Sequence, residues 1–226
     1  MPADFTPLPT YRLTAERRFQ CCVHEAGHAI AAALADRQCL ELAVAPEGAE
    51  EWTPVTRCGQ RLDDLWGYCR SHPVPLPLAP LKWDPKTAGF DLGPAKRVHT
   101  TLLKHLEKPI FRAVYYLDLR SILCGYLAGF IAEGLLLNEE PWLESDYTGP
   151  DDINKAEACC DLLPYRNRRE FDHAVDQTTT ALRDHWRAVM TLVEALAQAG
   201  TLDEDTIRPF LPEPLKGWPT PPPRRA

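Results

Sequence analysis

The sequence predicts an α+β fold that is mostly α-helical, with a small β-sheet beside the first helix. Three features support this prediction. Several long segments place apolar residues at the spacing of one helical face. One stretch, residues 39–45, is rich in Leu and Val and alternates like a strand. Proline-rich stretches at 71–80 and at the C-terminus separate or end these elements.

Helix-capping residues and the spacing of apolar residues predict the individual helices and strands. The first helix is predicted over residues 15–37, with Thr14 as its N-cap and Glu16 in its first turn. A strand over 39–45 and a weaker strand over 53–58 follow it. The remaining elements are helices, predicted over 94–106, 109–137, from about 150 onward, 169–199 and 203–210.

Together these elements predict one domain over residues 14–211. Residues 1–13 are predicted to be an irregular lead-in. Residues 212–226 end in Pro-Pro-Pro-Arg-Arg-Ala and are predicted to be a flexible tail. Within the domain, the Pro-rich residues 71–94 are predicted to be an inserted extended connector, because proline fits neither a helix interior nor a central strand.

Charge and composition narrow the range of functions. The 226-residue chain has a formal net charge of −7, so nucleic-acid binding has no electrostatic support. It lacks an uninterrupted run of about 18 apolar residues and a signal-peptide pattern, which predicts a cytoplasmic protein without a membrane partner. Its eight cysteines form no C-x-x-C pair, which predicts reduced and mostly buried thiols.

The most informative segment lies in the first helix and reads His-Glu-Ala-Gly-His at residues 24–28. Residues four apart share a helical face, so His24 and His28 can both bind one metal ion. Glu25 is rotated from His24 by about 100° on the helix, so its carboxylate can reach a water on that ion. Two fixed ligands beside a base are the arrangement that a zinc hydrolase needs.

The residues around this motif favour a buried site over a surface helix with two incidental histidines. Apolar residues form a stripe along one side of the helix, namely Val23, Ala26, Ile30, Ala33 and Leu34. A glycine in a helix centre costs about 1 kcal/mol against alanine, so Gly27 predicts a close neighbour. Cys21 is a less favoured ligand, since sites of this class take a carboxylate or histidine third. The longer metzincin pattern is absent after His28.

Acidic residues elsewhere in the chain could complete the site. Glu133 lies among small and apolar residues, where a carboxylate needs a partner, so it could accept a hydrogen bond from a metal-bound histidine. The alternative is a glutamate that faces water near a helix end. Asp151 and Asp152 fall in the first turn of the helix that begins near residue 150, where the helix dipole alone would favour them.

Three segments together resemble the peptidase domain of the FtsH family of membrane-anchored AAA proteases, peptidase family M41. They read His-Glu-Ala-Gly-His-Ala at 24–29, Ala-Gly-Phe-Ile-Ala-Glu at 128–133 and Thr-Gly-Pro-Asp-Asp-Ile-Asn-Lys-Ala at 148–156. The resemblance implies a zincin-type helical metallopeptidase domain over 14–211, in which Asp152 is the third zinc ligand. If Asp152 does not bind, the alternatives in order are Asp151, Glu133 and Glu144.

The chain also departs from that family. Gly134 stands where the family has a second glutamate, and the segment 148–156 is one residue shorter than its counterpart. The sequence contains no G-x-x-x-x-G-K-[ST] phosphate loop and therefore no ATPase of its own. The Pro-rich connector matches no part of the family.

The expected function is that of a zinc-dependent metalloendopeptidase, ATP-independent by itself, with Glu25 as general base. Its expected substrates are unfolded or flexible protein segments held at an exposed sheet edge, and its expected partners include a separate unfoldase or adaptor. Two alternatives stay open. One is a non-proteolytic zinc-binding or partner-interaction module that retains the fold, and the other is a zinc hydrolase of small peptides or amides.

Overall fold

The structure is a computed structural model that describes residues 12–62, 65–72, 83–84, 89–138, 150–165 and 168–223. These residues form an α+β fold that is mostly helical, as predicted. The helices are α1 Ala15–Leu34, α2 Leu92–His105, α3 Pro109–Leu137, α4 Pro150–Cys160, α5 Arg168–Asp184, α6 Trp186–Ala199 and α7 Glu204–Ile207, followed by a 3₁₀ turn at Arg208–Phe210. The strands are β1 Gln38–Val44, β2 Gly67–His72, β3 Trp83–Asp84, β4 Gly89–Phe90 and β5 Thr201–Asp203.

A small antiparallel sheet in the order β2-β1-β5 lies beside α1. Strand β1 is central, so β2 and β5 form the edges, and the register with β2 shifts between Cys39 and Glu41. The predicted strand over 53–58 is wrong, because there only an isolated bridge joins Val55 to Arg61. The second strand is β2 instead. It takes up the first two residues of the predicted Pro-rich connector, and β3 and β4 pair within that connector.

Helix α1 packs most closely on α3, and together these two helices form the centre of the core. A β-carbon added at Gly27 would lie 2.6 Å from the carbonyl oxygen of Ala128 and 2.7 Å from the β-carbon of Ala132. The close neighbour that Gly27 predicted is therefore the backbone of α3. Only the absence of a side chain at Gly27 lets the two helices approach to this distance.

Helix α3 is the one helix of the described residues that is long and apolar enough to cross a membrane. By length and composition alone it passes that test, but 72% of its most apolar window is buried inside the fold. One of its links to the rest of the fold is ionic. Arg120 donates two hydrogen bonds to Glu170 of α5, at 3.0 and 2.8 Å, and both side chains are buried.

Two predicted helices end differently in the structure. Helix α1 ends at Leu34 rather than at residue 37, because Asp36 takes a left-handed backbone conformation with φ of 56°. The predicted helix over 169–199 is two helices, α5 and α6, interrupted at His185, whose Nδ1 lies 2.8 Å from the carbonyl oxygen of Ala181. Helix α4 begins at Pro150, as predicted.

The C-terminal residues 212–223, which were predicted to belong to a flexible tail, contact the domain at several points. The amide of Leu215 donates a hydrogen bond to the carbonyl of Leu34, and the amide of Thr220 donates one to the side chain of Gln177. Trp218 packs against the core. All eight cysteines are free and six of them are buried, as predicted.

Candidate metal centre

The two histidines of α1 point the same ring nitrogen toward each other. Nε2 of His24 lies 2.9 Å from Nε2 of His28, one turn further along the helix. The carboxylate of Asp152 comes from the first turn of α4, and its Oδ2 lies 3.3 Å from Nε2 of His24 and 3.2 Å from Nε2 of His28. Three residues from two distant segments thus direct one atom each to a common point.

The other nitrogen of each ring is held by α3. Nδ1 of His28 lies 2.6 Å from the carbonyl oxygen of Gly125, and Nδ1 of His24 lies 2.5 Å from Oε1 of Glu133. A carbonyl or ionised carboxylate only accepts hydrogen bonds, so each Nδ1 carries the proton. In a neutral imidazole, Nε2 is then an unprotonated lone pair. This is how histidine ligands of metal sites are oriented.

The three converging atoms therefore repel one another unless positive charge lies between them. Their separations fit a metal ion, because tetrahedral bonds of about 2.0–2.1 Å place neighbouring ligand atoms about 3.3 Å apart. Among the described residues, His24, His28 and Asp152 form the only group of three residues that could bind one metal ion together. The group can therefore hold a metal ion.

The electrostatics of the group also favour positive charge. Burial lowers the pKa of His24, but hydrogen bonds to Asp152 and Glu133 outweigh burial and raise that pKa well above its ordinary value. Burial likewise raises the pKa of Asp152, while hydrogen bonds with His24 and His28 bring it well below the usual range. Without a metal, a proton on the imidazoles would serve the same electrostatic need.

Gly129 of α3 leaves room beside the converging atoms. A β-carbon there would lie 2.5 Å from Nε2 of His24 and 2.6 Å from Nε2 of His28. Gly125, Gly129 and Glu133 are spaced four residues apart, so they form a single stripe along the helix. Along that stripe, Gly125 provides a carbonyl for His28, Gly129 leaves room for both imidazole rings, and Glu133 provides a carboxylate for His24.

Glu25 is buried beside this group. Burial raises its pKa, and the positive charge that His24 and His28 can carry lowers it. Strand β2 begins next to its carboxylate, since a β-carbon at Gly67 would lie 2.6 Å from Oε1 of Glu25. The candidate base therefore lies between the histidine pair and an edge strand of the sheet.

The structure separates the predicted site residues into three sets. It brings His24, His28 and Asp152 together, with Glu25 nearby and Glu133 hydrogen-bonded to the far side of His24 rather than facing water. Cys21 is not part of the group of three. Glu144 and the side chain of Asp151 lie outside the described residues.

Sequence reasoning missed three glycines of this site and one lysine. Gly125 contributes its backbone carbonyl, while Gly129 and Gly67 leave room where a side chain would clash with the site. No residue pattern reveals these contributions. Lys155 lies one helical turn after Asp152, and its Nζ is 3.5 Å from Oδ1, the oxygen of Asp152 that faces away from the histidines. That spacing of three residues was the only signal available for Lys155.

No family model matches the chain, and no curated protein matches it. The resemblance to the FtsH peptidase domain stays a prediction.

Proposed function

We propose that this protein is a zinc-dependent endopeptidase of the zincin type. One observation supports the proposal above all others: two imidazole nitrogens and a carboxylate oxygen converge within 2.9–3.3 Å, while α3 places a hydrogen-bond acceptor beside the opposite nitrogen of each imidazole. A buried carboxylate adjoins them, and a metal hydrolase needs such a base.

Each residue has a defined role in this proposal. His24, His28 and Asp152 would hold a zinc ion, which would supply the Lewis acidity that lowers the pKa of a water to about 7 and polarises a substrate carbonyl. The carboxylate of Glu25 accepts a proton from the attacking water and then passes that proton to the leaving amine. Glu133 keeps His24 in the tautomer that presents Nε2.

The proposed substrate is an extended segment of an unfolded or flexible protein. Strand β2 is an edge of the described sheet, and its first residue, Gly67, touches the side chain of Glu25. A peptide paired with this edge would run past the base, bound by backbone hydrogen bonds that demand no particular sequence. Folded substrates would require a separate unfoldase or adaptor.

Hydrolysis of casein by the purified protein tests the proposal. Glu25→Gln should bind zinc normally and lose activity by about 10²–10⁴-fold, while Asp152→Asn should lose zinc. Glu16→Gln is the matched control, because Glu16 is an exposed glutamate on the same helix. Wild-type cleavage by Glu25→Gln would remove Glu25 from the mechanism.

The same assays separate the alternatives. Cleavage of dipeptides but not of casein, abolished by a chelator, would indicate a hydrolase of small amides. Zinc binding without cleavage of either substrate would indicate a metal-binding module and would contradict the peptidase proposal.

A further inference from the structure

The turn between α2 and α3 and the residues on either side of it form an exposed tip, which comprises residues 104–117. Eight consecutive residues, 107–114, are exposed, although six of them already belong to α3. Exposure on every side of a helix start means that none of the other described elements covers it, so that within the described part of the chain the tip is convex.

Apolar side chains crowd this tip. Its exposed apolar residues and their exposed fractions are Ile110 at 62%, Phe111 at 50%, Val114 at 58% and Leu117 at 37%. Ile110, Val114 and Leu117 are spaced by four and three residues and so share one face of α3. Tyr115 and Leu119 point into the core instead. An exposed apolar cluster of this kind marks an interaction site.

Cations surround the apolar residues. The tip contains Lys104, Lys108 and Arg112 against a single acidic residue, Glu107, in a chain whose net charge is −7. Nζ of Lys108 lies 5.8 Å from the centre of the Phe111 ring. The local excess of positive charge predicts an anionic partner.

The tip is also held in place. Arg112 donates hydrogen bonds to the carbonyl oxygens of Leu106 and Leu103 at 2.7 and 3.2 Å, which ties the start of α3 to the end of α2. Its apolar side chains are thus presented by a fixed turn between two helices, and binding requires little ordering of the chain.

We propose that the tip binds the surface of an anionic lipid bilayer, with Ile110 and Phe111 inserted among the acyl chains and Lys104 and Lys108 at the headgroups. Apolar residues flanked by lysine and arginine are the chemistry of interfacial membrane binding. The proposal departs from the sequence-based prediction of no membrane partner, which rested on the lack of a long apolar run and of a signal-peptide pattern and did not consider this surface. The proposal is independent of the metal centre.

A second copy of the chain fits the tip less well. The four apolar residues expose on the order of 400 Å², whereas a stable dimer buries about 800 Å² on each partner. A convex tip can insert into a bilayer without a complementary pocket, and the bilayer supplies negative charge directly.

Co-sedimentation with vesicles tests the proposal. The wild-type protein should pellet with vesicles that contain phosphatidylserine, bind pure phosphatidylcholine vesicles more weakly, and lose affinity at high salt. The double variant Ile110→Ser/Phe111→Ser should bind at least about tenfold more weakly. Lys104→Gln and Lys108→Gln should each cost about fivefold.

Val55→Ser is the matched control, because Val55 is 65% exposed and lies outside the tip. It should bind vesicles like the wild type, and thermal melts should show that every variant is folded. Three results would overturn the proposal. The first is failure of the wild type to bind anionic vesicles, and the second is equal binding by Ile110→Ser/Phe111→Ser. The third is a wild-type dimer, measured by light scattering, that this double variant converts to a monomer, which would assign the tip to a second copy.

Discussion

Gly129 faces His24 so closely that a β-carbon on the glycine would lie 2.5 Å from Nε2 of the histidine. The same β-carbon would be 2.6 Å from Nε2 of His28. The volume that this glycine leaves free adjoins the two atoms best placed to bind a metal. We infer that the site depends on a missing side chain as much as on the three ligands.

Gly129→Ala should therefore weaken metal binding strongly without unfolding the protein. The added methyl group would push the imidazoles out of the geometry that a shared metal ion requires, and disturbing the groups that orient metal ligands costs up to about 100-fold in affinity. Metal affinity, measured by competition with a chromogenic chelator, should fall by a factor close to that limit.

Gly125→Ala is the matched control on the same helix. A β-carbon there meets nothing within 4 Å, and the carbonyl that binds His28 is kept. This variant should retain the metal and gain about 0.5–1 kcal/mol of stability from alanine's helix propensity. Equal metal loss in both variants would show that the space at Gly129 has no special role.

Glu133→Ala should weaken metal binding by about 10–100-fold, because it removes the acceptor for the Nδ1 proton of His24. Glu133→Gln can still accept a hydrogen bond but carries no charge, so its affinity should lie between those of the wild type and Glu133→Ala. Isothermal titration with zinc provides the measurement. Unchanged affinity in Glu133→Ala would contradict the role given to this contact.

Gly67→Ala should separate catalysis from metal binding. Its methyl group would lie 2.6 Å from Oε1 of Glu25 and displace that carboxylate, while His24, His28 and Asp152 are untouched. We expect normal zinc content with kcat lowered by about 10–100-fold, a part of what a general base contributes. A variant with full kcat would show that Glu25 tolerates displacement or is not the base.

Glu170→Ala should destabilise the fold by about 3–5 kcal/mol, because it leaves Arg120 charged and buried without its partner. Asp172→Ala is the control on the same helix. It breaks an exposed pair with Arg168, worth no more than about 0.5 kcal/mol. Urea denaturation measures both. Equal midpoints would mean that the buried pair contributes no more than the surface one.

The sequence predicted the residues whose chemistry is visible in their side chains. The spacing of His24 and His28 fixes their shared helical face, and Asp152 followed from the resemblance of residues 148–156 to a segment of the FtsH peptidase domain. Gly67, Gly125 and Gly129 could not be found in this way. They act through space or a backbone carbonyl, and their roles appear only once α1, α3 and β2 are packed together.

The elements that were missed depend on tertiary contacts. Strand β2 contains glycine, arginine, serine and histidine, and it is a strand because it pairs with β1. The break between α5 and α6 at His185 contains no proline or glycine that would have indicated it in the sequence. The C-terminal segment looked flexible because of its prolines, but Trp218 packs it against the core.

Elemental analysis of the purified protein decides whether His24, His28 and Asp152 form a zinc site. The wild type should contain one zinc ion per chain, and a folded His24→Ala/His28→Ala variant should contain none. A wild-type protein that holds no metal after exposure to zinc, or a double variant that retains a full equivalent, would contradict this assignment.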